Sequence, residues 1–366
     1  MPMYAIEEVQ ADAEAFRHAV RERQAFRPLY VKIKLIYGCN LRCAMCNHWR
    51  APREAPLSAA RLREVLAELA ALGCRKIHFT GGEPLLRPFV PDLTAYATSL
   101  GMRVNMTTNG TLIDKERARR LVEAGLRGVN ISLDSPDRRV HDQVRGVRGA
   151  WKKTTQALEY LARYAHKGKL AVRVNTVVSR HNYQSLAALP DLVHSLGAQS
   201  LNLIPVDDHC GEHLSLRRRD MEAFNAEIAP QIAERALALG LMRDERAAYP
   251  FGRTPGEMRM ARHGQYAFGW YKRRPCFAPW THSLIDYNGL VYVCCMTREQ
   301  VAPLGDLKRD SFTDIWTGAG YNAIRQMMHP PQLAPCQRCD DFLEENRKLL
   351  AVATSSATER TENTEV

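Results

Sequence analysis

The feature that most limits the fold of this 366-residue chain is a regular alternation of short apolar runs with helical stretches. The apolar runs lie at residues 31–36, 75–80, 103–108, 128–133, 171–178 and 200–205. A helix is predicted over 58–72, with Ser58 as its N-cap and Gly73 just past its end. Strands that alternate with helices form parallel sheets. Six such units predict an α/β fold, a partial (β/α)6 TIM-like barrel that lacks the last two units of a closed one.

The rest of the chain divides by composition. We predict an N-terminal extension over 1–30, the barrel over 31–211, a helical and basic connection over 212–275, and a small cysteine-rich domain over 276–345. The last of these begins with a hairpin that turns at Asn288-Gly289, and we expect it to cover the open side of the barrel. Residues 351–366 are poor in apolar side chains and are predicted to be a disordered tail.

Composition and charge narrow the possible locations and partners. No apolar run approaches the length of a membrane span, and the first residues carry acids where a secretory signal carries bases. We therefore expect a cytoplasmic protein with no membrane partner. The formal charge is +11, but the basic residues are spread along helices and form no block with interleaved aromatics. This pattern favours an anionic small molecule over nucleic acid as a partner.

Ten cysteines in a reducing compartment are expected to bind metal or take part in catalysis. Cys39, Cys43 and Cys46 form a C-x3-C-x2-C motif directly after the first strand. Three thiolates cannot saturate a cubane of four irons, so one iron would keep an open site for an exchangeable ligand. The alternative is a zinc site completed by His48, although zinc motifs usually use paired C-x2-4-C spacings.

This motif, together with FTGGEP at residues 79–84, resembles the radical S-adenosylmethionine (SAM) superfamily. The resemblance implies a [4Fe-4S] cluster on the three cysteines, with its open iron chelated by S-adenosylmethionine. It also implies reductive cleavage to a 5'-deoxyadenosyl radical, and a flavodoxin- or ferredoxin-type reductant. In the family, the GGEP segment meets the methionine amino group, which assigns Gly81, Gly82, Glu83 and Pro84 to cofactor binding.

The resemblance implies further cofactor contacts at strand ends, where barrel sites are built. Ser132 and Asp134 lie at the end of the fourth strand and are expected near the cofactor, and Arg145 is expected at its carboxylate. Asn109 ends another strand, and Leu203 opens an apolar shelf for adenine. Each position also has a structural interpretation, such as a Ser-Pro turn after Asp134 or a solvated arginine at a helix end.

A second set of cysteines lies near the C-terminus. It comprises Cys276, Cys294 at the end of a G-x4-C motif, and the C-x2-C pair Cys336 and Cys339. We prefer Cys294 over Cys295 because successive side chains of a strand point in opposite directions. The spacing resembles the SPASM/twitch subgroup, in its shorter twitch form because no cysteine follows Cys339, and it implies one auxiliary [4Fe-4S] cluster. A zinc ribbon is the alternative.

The loop after the sixth strand, PVDDHCGEH, supplies the candidate catalytic residues. The thiol of Cys210 is a possible hydrogen-atom donor to a substrate radical, as in some relatives. Asp207, Asp208 and His209 are candidates for a base or for ligands of a sugar hydroxyl. The competing interpretations are a packed loop thiol and hydrophilic loop residues without a chemical role.

The twitch resemblance implies a radical SAM enzyme similar to aminocyclitol dehydrogenases and nucleoside-uronate decarboxylases of antibiotic biosynthesis. The adenosyl radical would remove a hydrogen atom from a small polar, possibly anionic substrate: a sugar, an aminocyclitol or a sugar nucleoside such as a uronate. Oxidation or decarboxylation would follow. Relatives that modify peptides often carry an N-terminal leader-binding domain, and the roughly thirty residues before the first strand leave little room for one. Maturation of a ribosomally made peptide is therefore the alternative to a small substrate. A non-catalytic iron-sulfur electron carrier is the second alternative, against which the GGEP segment argues.

Overall fold

The computed structural model of the protein describes residues 3–50, 54–208, 211–339 and 342–355. Within these ranges the strands are β1 (Tyr30–Lys34), β2 (Lys76–Thr80), β3 (Arg103–Thr108), β4 (Leu126–Ser132), β5 (Ala171–Val178), β6 (Ser200–Pro205), β7 (His282–Ile285), β8 (Leu290–Tyr292) and β9 (Gly305–Asp306). The α-helices are α1 (Glu7–Gln10), α2 (Ala13–Arg21), α3 (Ala59–Ala71), α4 (Val90–Ser99), α5 (Lys115–Glu123), α6 (Arg138–Arg145), α7 (Ala150–Ala165), α8 (Leu189–Ser195), α9 (Arg218–Ala223), α10 (Ala229–Ala238), α11 (Pro255–Ala261), α12 (Ala278–Thr281), α13 (Phe312–Thr317), α14 (Ala319–Gln326) and α15 (Leu343–Thr354). A π-helix (Phe224–Ile228) joins α9 to α10.

The strands form one sheet in the order β6-β5-β4-β3-β2-β1-β7-β8-β9. Neighbouring strands from β6 to β1 are parallel, which confirms the predicted partial barrel. The sequence-based strand bounds lie within two residues of the observed ones. Ser58 caps α3 as predicted, because its hydroxyl accepts a 3.1 Å hydrogen bond from the Arg61 amide.

The sheet has an apolar outer face and a polar inner face. Along β5, Val172 and Val174 are buried, whereas Arg173 and Asn175 are only half-buried and line the inside of the barrel. Because strand side chains alternate, every second residue of each parallel strand faces the lumen. The lumen is a cavity of about 560 Å³, lined by polar side chains of all six barrel strands.

The cysteine-rich region continues the barrel sheet at its β1 edge. β7 pairs in parallel with β1, with Ile33 opposite Ile285, and β8 and β9 follow in antiparallel order. The predicted hairpin is present, and Gly289 adopts a φ of +95° in its turn. Because β7 runs parallel to β1, its last residue, Ile285, and the hairpin turn that follows lie beside the carboxyl end of the first barrel strand.

The segments outside the barrel are packed against it. The basic connection contains α11, and its Ala267 amide donates to the Cys339 carbonyl at 3.1 Å. The N-terminal helices contact the C-terminal region, since the Trp280 indole donates to the Ala19 carbonyl at 3.1 Å. The predicted tail is wrong at its start, because α15 continues to Thr354; residues 356–366 lie outside the described residues. None of the helices in the described ranges has the length and apolarity needed to cross a membrane.

Candidate functional site

The loop after β1 that carries Cys39, Cys43 and Cys46 packs against the GGEP segment after β2. The amides of Gly82 and Glu83 donate to the carbonyls of Ile36 and Gly38, at 2.8 and 2.9 Å. A Cβ at Gly81 would lie 2.4 Å from the Ile36 oxygen, and one at Gly82 would lie 2.1 Å from the Gly38 oxygen. The two glycines are therefore required for close contact between the two loops.

Glu83 is completely buried and ties this segment to the end of β3. Its Oε1 accepts hydrogen bonds from the Thr108 hydroxyl at 2.7 Å and the Leu85 amide at 3.0 Å, and its Oε2 accepts from the Asn109 amide at 2.9 Å. Burial raises the pKa of Glu83, and these hydrogen bonds oppose the rise. Pro84 begins a short 3-10 helix. Contact between the GGEP segment and the methionine amino group stays a prediction.

Each of the three cysteines of the first motif has a polar partner. The side-chain nitrogen Nδ2 of Asn109 lies 3.8 Å from the Cys39 sulfur. The Nη1 of Arg145 lies 3.8 Å from the Cys43 sulfur, and the Nδ1 of His48 lies 3.2 Å from the Cys46 sulfur. Burial raises the pKa of Cys39 to about 11, and the charges of Cys43 and Cys46 contribute to the rise. Burial also raises the pKa of Cys43, so a positive partner such as a metal cluster would be needed to stabilise the thiolate forms of Cys39 and Cys43.

Arg145 and Asp134 form a buried ion pair beside Cys43, with Nε and Oδ2 2.7 Å apart. The main chain of α6 also holds the cysteine loop, because the Arg145 carbonyl accepts from the Arg42 amide at 3.1 Å. The Nη2 atom of Arg145 is buried without a hydrogen-bond acceptor among the described residues. The Nη2 group of Arg145 is therefore available to donate a hydrogen bond to a carboxylate. Ser132 is the last residue of β4, two positions before Asp134, and its side chain is half-buried.

These residues fit an iron-sulfur cluster better than a single metal ion. In the described part of the chain, no three His, Cys, Asp or Glu side chains converge as ligands of one ion would. In a cubane each thiolate binds a different iron, so its cysteines surround the cluster without meeting at one point. His48 contacts the Cys46 sulfur and does not complete a zinc site with the three thiols.

The second set of cysteines lies around the hairpin and the chain before α15. Cys276, Cys294 and Cys339 are buried and Cys336 is partly buried. Burial raises the pKa of Cys294 to about 12, with a contribution from Cys276, and burial and Cys294 raise that of Cys336 to about 12. Cys294 thus lies close enough to Cys276 and Cys336 for their charges to interact, and the Cys339 amide donates to the Cys336 carbonyl at 3.3 Å.

Two side chains that the sequence analysis did not single out complete these sites. Asn346, which is buried, accepts from the Phe277 amide at 2.7 Å and donates to the Cys276 sulfur at 3.6 Å. Lys34 ends β1 on the strand face shared by Tyr30 and Lys32, which line the lumen. Lys32 and Lys34 stand at alternate positions of β1, and this pattern in the sequence could have indicated a polar lumen. No local sequence pattern indicated the role of Asn346.

Lys34 meets the C-terminal region at the carboxyl end of the barrel. Burial lowers its pKa to about 8, the charge of Arg298 contributes to the fall, and Asp286, Cys295 and Glu299 oppose it. The charge of Cys295 therefore acts on Lys34, whereas the charges of Cys276 and Cys294 act on Cys294 and Cys336 respectively. This arrangement agrees with the preference for Cys294 as a cluster ligand.

The loop after β6 is described only in part. Asp208 organises this loop, because its carboxylate accepts from the amides of Glu212 and Leu214 at 3.1 and 2.8 Å. Asp207 is exposed. His209 and Cys210 lie outside the described residues. The catalytic roles expected in this loop stay predictions, and Asp208 has an evident structural role.

The sequence matches two known domain families. Residues 33–192 match the radical SAM superfamily, and residues 276–340 match the SPASM iron-sulfur cluster-binding domain. The chain therefore contains a radical SAM domain followed by a SPASM domain. Together these domains imply S-adenosylmethionine, a [4Fe-4S] cluster and an auxiliary iron-sulfur cluster as the cofactors of the protein.

Individual relatives differ in how much of the chain they match. A GTP 3',8-cyclase of Chlorobaculum tepidum is 39% identical over 186 residues, which are 49% of this chain and 55% of that protein. A PqqA peptide cyclase of Streptomyces rochei is 29% identical over 320 residues, 86% of this chain and 82% of that protein. The chain spans about half the length of the GTP 3',8-cyclase, and about half the length of an AdoMet-dependent heme synthase of Methanosarcina barkeri and a PqqA peptide cyclase of Rhodopseudomonas palustris that it also matches.

The fold is shared with a solved structure. SuiB of Streptococcus suis, solved bound to the precursor peptide SuiA, is 17% identical with a TM-score of 0.63, over 91% of this chain and 76% of that chain. At this identity the likeness concerns the fold alone. It covers the barrel and the C-terminal region together.

Proposed function

We propose that the protein is a radical SAM enzyme that modifies a peptide. The observation that carries this proposal is the similarity to a PqqA peptide cyclase, which extends over 86% of the chain. The GTP 3',8-cyclase is more similar in sequence but matches only about half of the chain, so similarity in that half does not select a substrate. The comparisons thus favour the peptide alternative over a small sugar, aminocyclitol or nucleoside.

The first cluster is proposed to lie on Cys39, Cys43 and Cys46, and the auxiliary cluster on Cys276, Cys294, Cys336 and Cys339. When bound, the first cluster and S-adenosylmethionine supply the radical that removes a hydrogen atom from the substrate. Arg145 is proposed to hold the cofactor carboxylate, because its buried Nη2 has no acceptor among the described residues and lies on the side chain that contacts Cys43.

The lumen offers polar groups suited to an amide-rich substrate. Asn105, Asn130, Asn175 and Asn202 line it from four neighbouring strands. The Oδ1 of Asn105 is buried without a hydrogen-bond donor among the described residues, and Asn105 as a whole residue is 6% exposed. Asparagine presents the same donor and acceptor pair as a peptide bond, and therefore suits peptide amides. We propose that Lys34, above these residues, contacts the substrate where the radical is delivered.

The test is release of 5'-deoxyadenosine by the anaerobically reconstituted protein with dithionite as reductant. The panel holds a pool of synthetic peptides, a nucleoside uronate and an aminocyclitol, and Cys43→Ala is the matched inactive control. We expect stimulation by peptides and a change in peptide mass that Cys43→Ala does not produce. Stimulation by the uronate or aminocyclitol alone would contradict the proposal. Iron binding without cofactor cleavage under any condition would favour the electron carrier.

A further inference from the structure

We propose that His48 tunes the first cluster by donating a hydrogen bond to the Cys46 thiolate, and that Arg298 of the SPASM domain positions it through Tyr37. A residue of the second domain would thus influence the reduction potential of the cluster in the first. The inference rests on the proposed placement of the first cluster and is independent of the substrate.

The hydrogen bond is defined by the positions of both ring nitrogens. Nδ1 of His48 lies 3.2 Å from the Cys46 sulfur, within the range of a hydrogen bond to sulfur. Nε2 is buried and has no partner among the described residues. A proton on Nε2 would leave that donor unsatisfied and would turn the Nδ1 lone pair toward the anionic sulfur. The proton therefore belongs on Nδ1, which makes this nitrogen the donor to the thiolate.

The ring of His48 is held in place by contacts that lead to the SPASM domain. It stacks on the Tyr37 ring, with centroids 4.5 Å apart and planes inclined by 24°. The guanidinium carbon of Arg298 lies 5.6 Å from the centroid of the same Tyr37 ring. Arg298 is fixed in turn by an ion pair with Asp286, whose Oδ2 is 2.5 Å from its Nε. Asp286 is buried and Arg298 is partly buried, at 3% and 12% side-chain exposure.

The expected consequence follows from charge. Reduction adds one electron, supplied by the external reductant, to a cluster whose thiolates already carry negative charge. A hydrogen bond to a ligand sulfur stabilises the reduced state and raises the potential. His48 would therefore ease the electron uptake that precedes cofactor cleavage. Arg298 would support this effect by fixing Tyr37 against the imidazole ring.

The experiment is a redox titration of the reconstituted full-length protein followed by EPR. The signal of the first cluster is identified by its response to added S-adenosylmethionine. We expect His48→Phe, which keeps an aromatic ring but removes the donor, to shift the midpoint to a more negative potential. His48→Asn retains a donor near the Nδ1 position and should recover part of the shift. His263→Phe, at an exposed histidine, should leave the midpoint unchanged.

The role of Arg298 is separated from its direct charge effect by a double variant. Arg298→Met should lower the midpoint, and adding it to His48→Phe should produce little further change if Arg298 acts through His48. Additive shifts would overturn the positioning role of Arg298. An unchanged midpoint in His48→Phe with full iron content would overturn the role of His48.

A measurement on the unsubstituted protein covers the case in which a variant fails to assemble its cluster. With 15N-labelled histidine, pulsed EPR of the reduced first cluster should detect a 15N coupling from the hydrogen-bonded imidazole. Absence of that coupling would overturn the proposal irrespective of how the variants behave. Neither readout depends on peptide modification, so failure of this inference is distinguishable from failure of the proposed function.

Discussion

Arg145 and Asp134 form an ion pair from which water is nearly excluded: Nε and Oδ2 lie 2.7 Å apart, and the two side chains are 9% and 0% exposed. Asp134 also accepts from the Val177 amide at 3.0 Å, and Arg145 also reaches the Cys43 sulfur. The pair thus links the ends of β4 and β5 to the cysteine loop. It combines a structural role with a donor available to the cofactor.

Arg145→Met should lower the free energy of unfolding by about 3–5 kcal/mol, because it leaves the Asp134 charge buried without its partner. Adding Asp134→Asn removes that charge and should restore much of the stability, as measured by urea denaturation. Affinity for S-adenosylmethionine, measured anaerobically by calorimetry, should stay about tenfold or more weaker in both variants. Binding at the original affinity in the double variant would show that Arg145 serves only the fold. Arg119→Met, in an exposed ion pair, is the control.

Substitution of the adjacent residues Cys294 and Cys295 is expected to have different effects on the amount of bound iron. Cys294→Ala should lower bound iron by about half if each site holds four irons, whereas Cys295→Ala should leave it unchanged. The reason is that Cys294 is buried and interacts electrostatically with Cys276 and Cys336, while Cys295 is only partly buried and its charge acts on Lys34. Iron and sulfide analysis of the reconstituted variants decides the matter. Equal iron loss in both variants, or loss only in Cys295→Ala, would refute this choice of ligand.

Asn346 is expected to protect the auxiliary cluster. Asn346→Leu removes the acceptor of the buried Phe277 amide and the donor to the Cys276 sulfur, at a cost of about 1–3 kcal/mol in the free energy of unfolding. The cluster should also release iron to a chelator faster, which absorbance can follow. Gln326→Leu, an exposed change in the same domain, should match the unsubstituted protein in both measurements. Unaltered iron release in Asn346→Leu would remove Asn346 from the site.

Lys34 should make stability depend on pH in the alkaline range. Folding lowers its pKa from 10.5 to about 8, so between these values the unfolded chain binds more protons than the folded one. Stability contributed at this position therefore rises with pH from about 8 to about 10.5. In urea denaturation across this range, the protein should gain stability relative to Lys34→Met as pH rises. Lys115→Met, at an exposed lysine, should show no such trend, and a flat difference for Lys34→Met would contradict the burial of a charged amine.

The strands and the two cysteine groups were predictable because their signals are local. Apolar periodicity marks β1 to β6 within two residues, and the two cysteine groups lie in the segments 33–192 and 276–340 that match known domains. The pairing of β7 with β1 joins residues about 250 positions apart and leaves no local pattern. For the same reason, the contact of Tyr37 with Arg298 was not predictable. The comparisons do not support the favoured substrate class and favour the peptide alternative, since cysteine spacing reports on clusters and carries no information about substrates.

We propose that one chain carries two different clusters and that only the one on Cys39, Cys43 and Cys46 meets the cofactor. The most direct test is EPR of the reduced, reconstituted protein with and without S-adenosylmethionine. We expect two signals, one of which changes on addition of S-adenosylmethionine and disappears in Cys43→Ala while the other remains. A single signal, or a responsive signal that survives Cys43→Ala, would contradict this proposal.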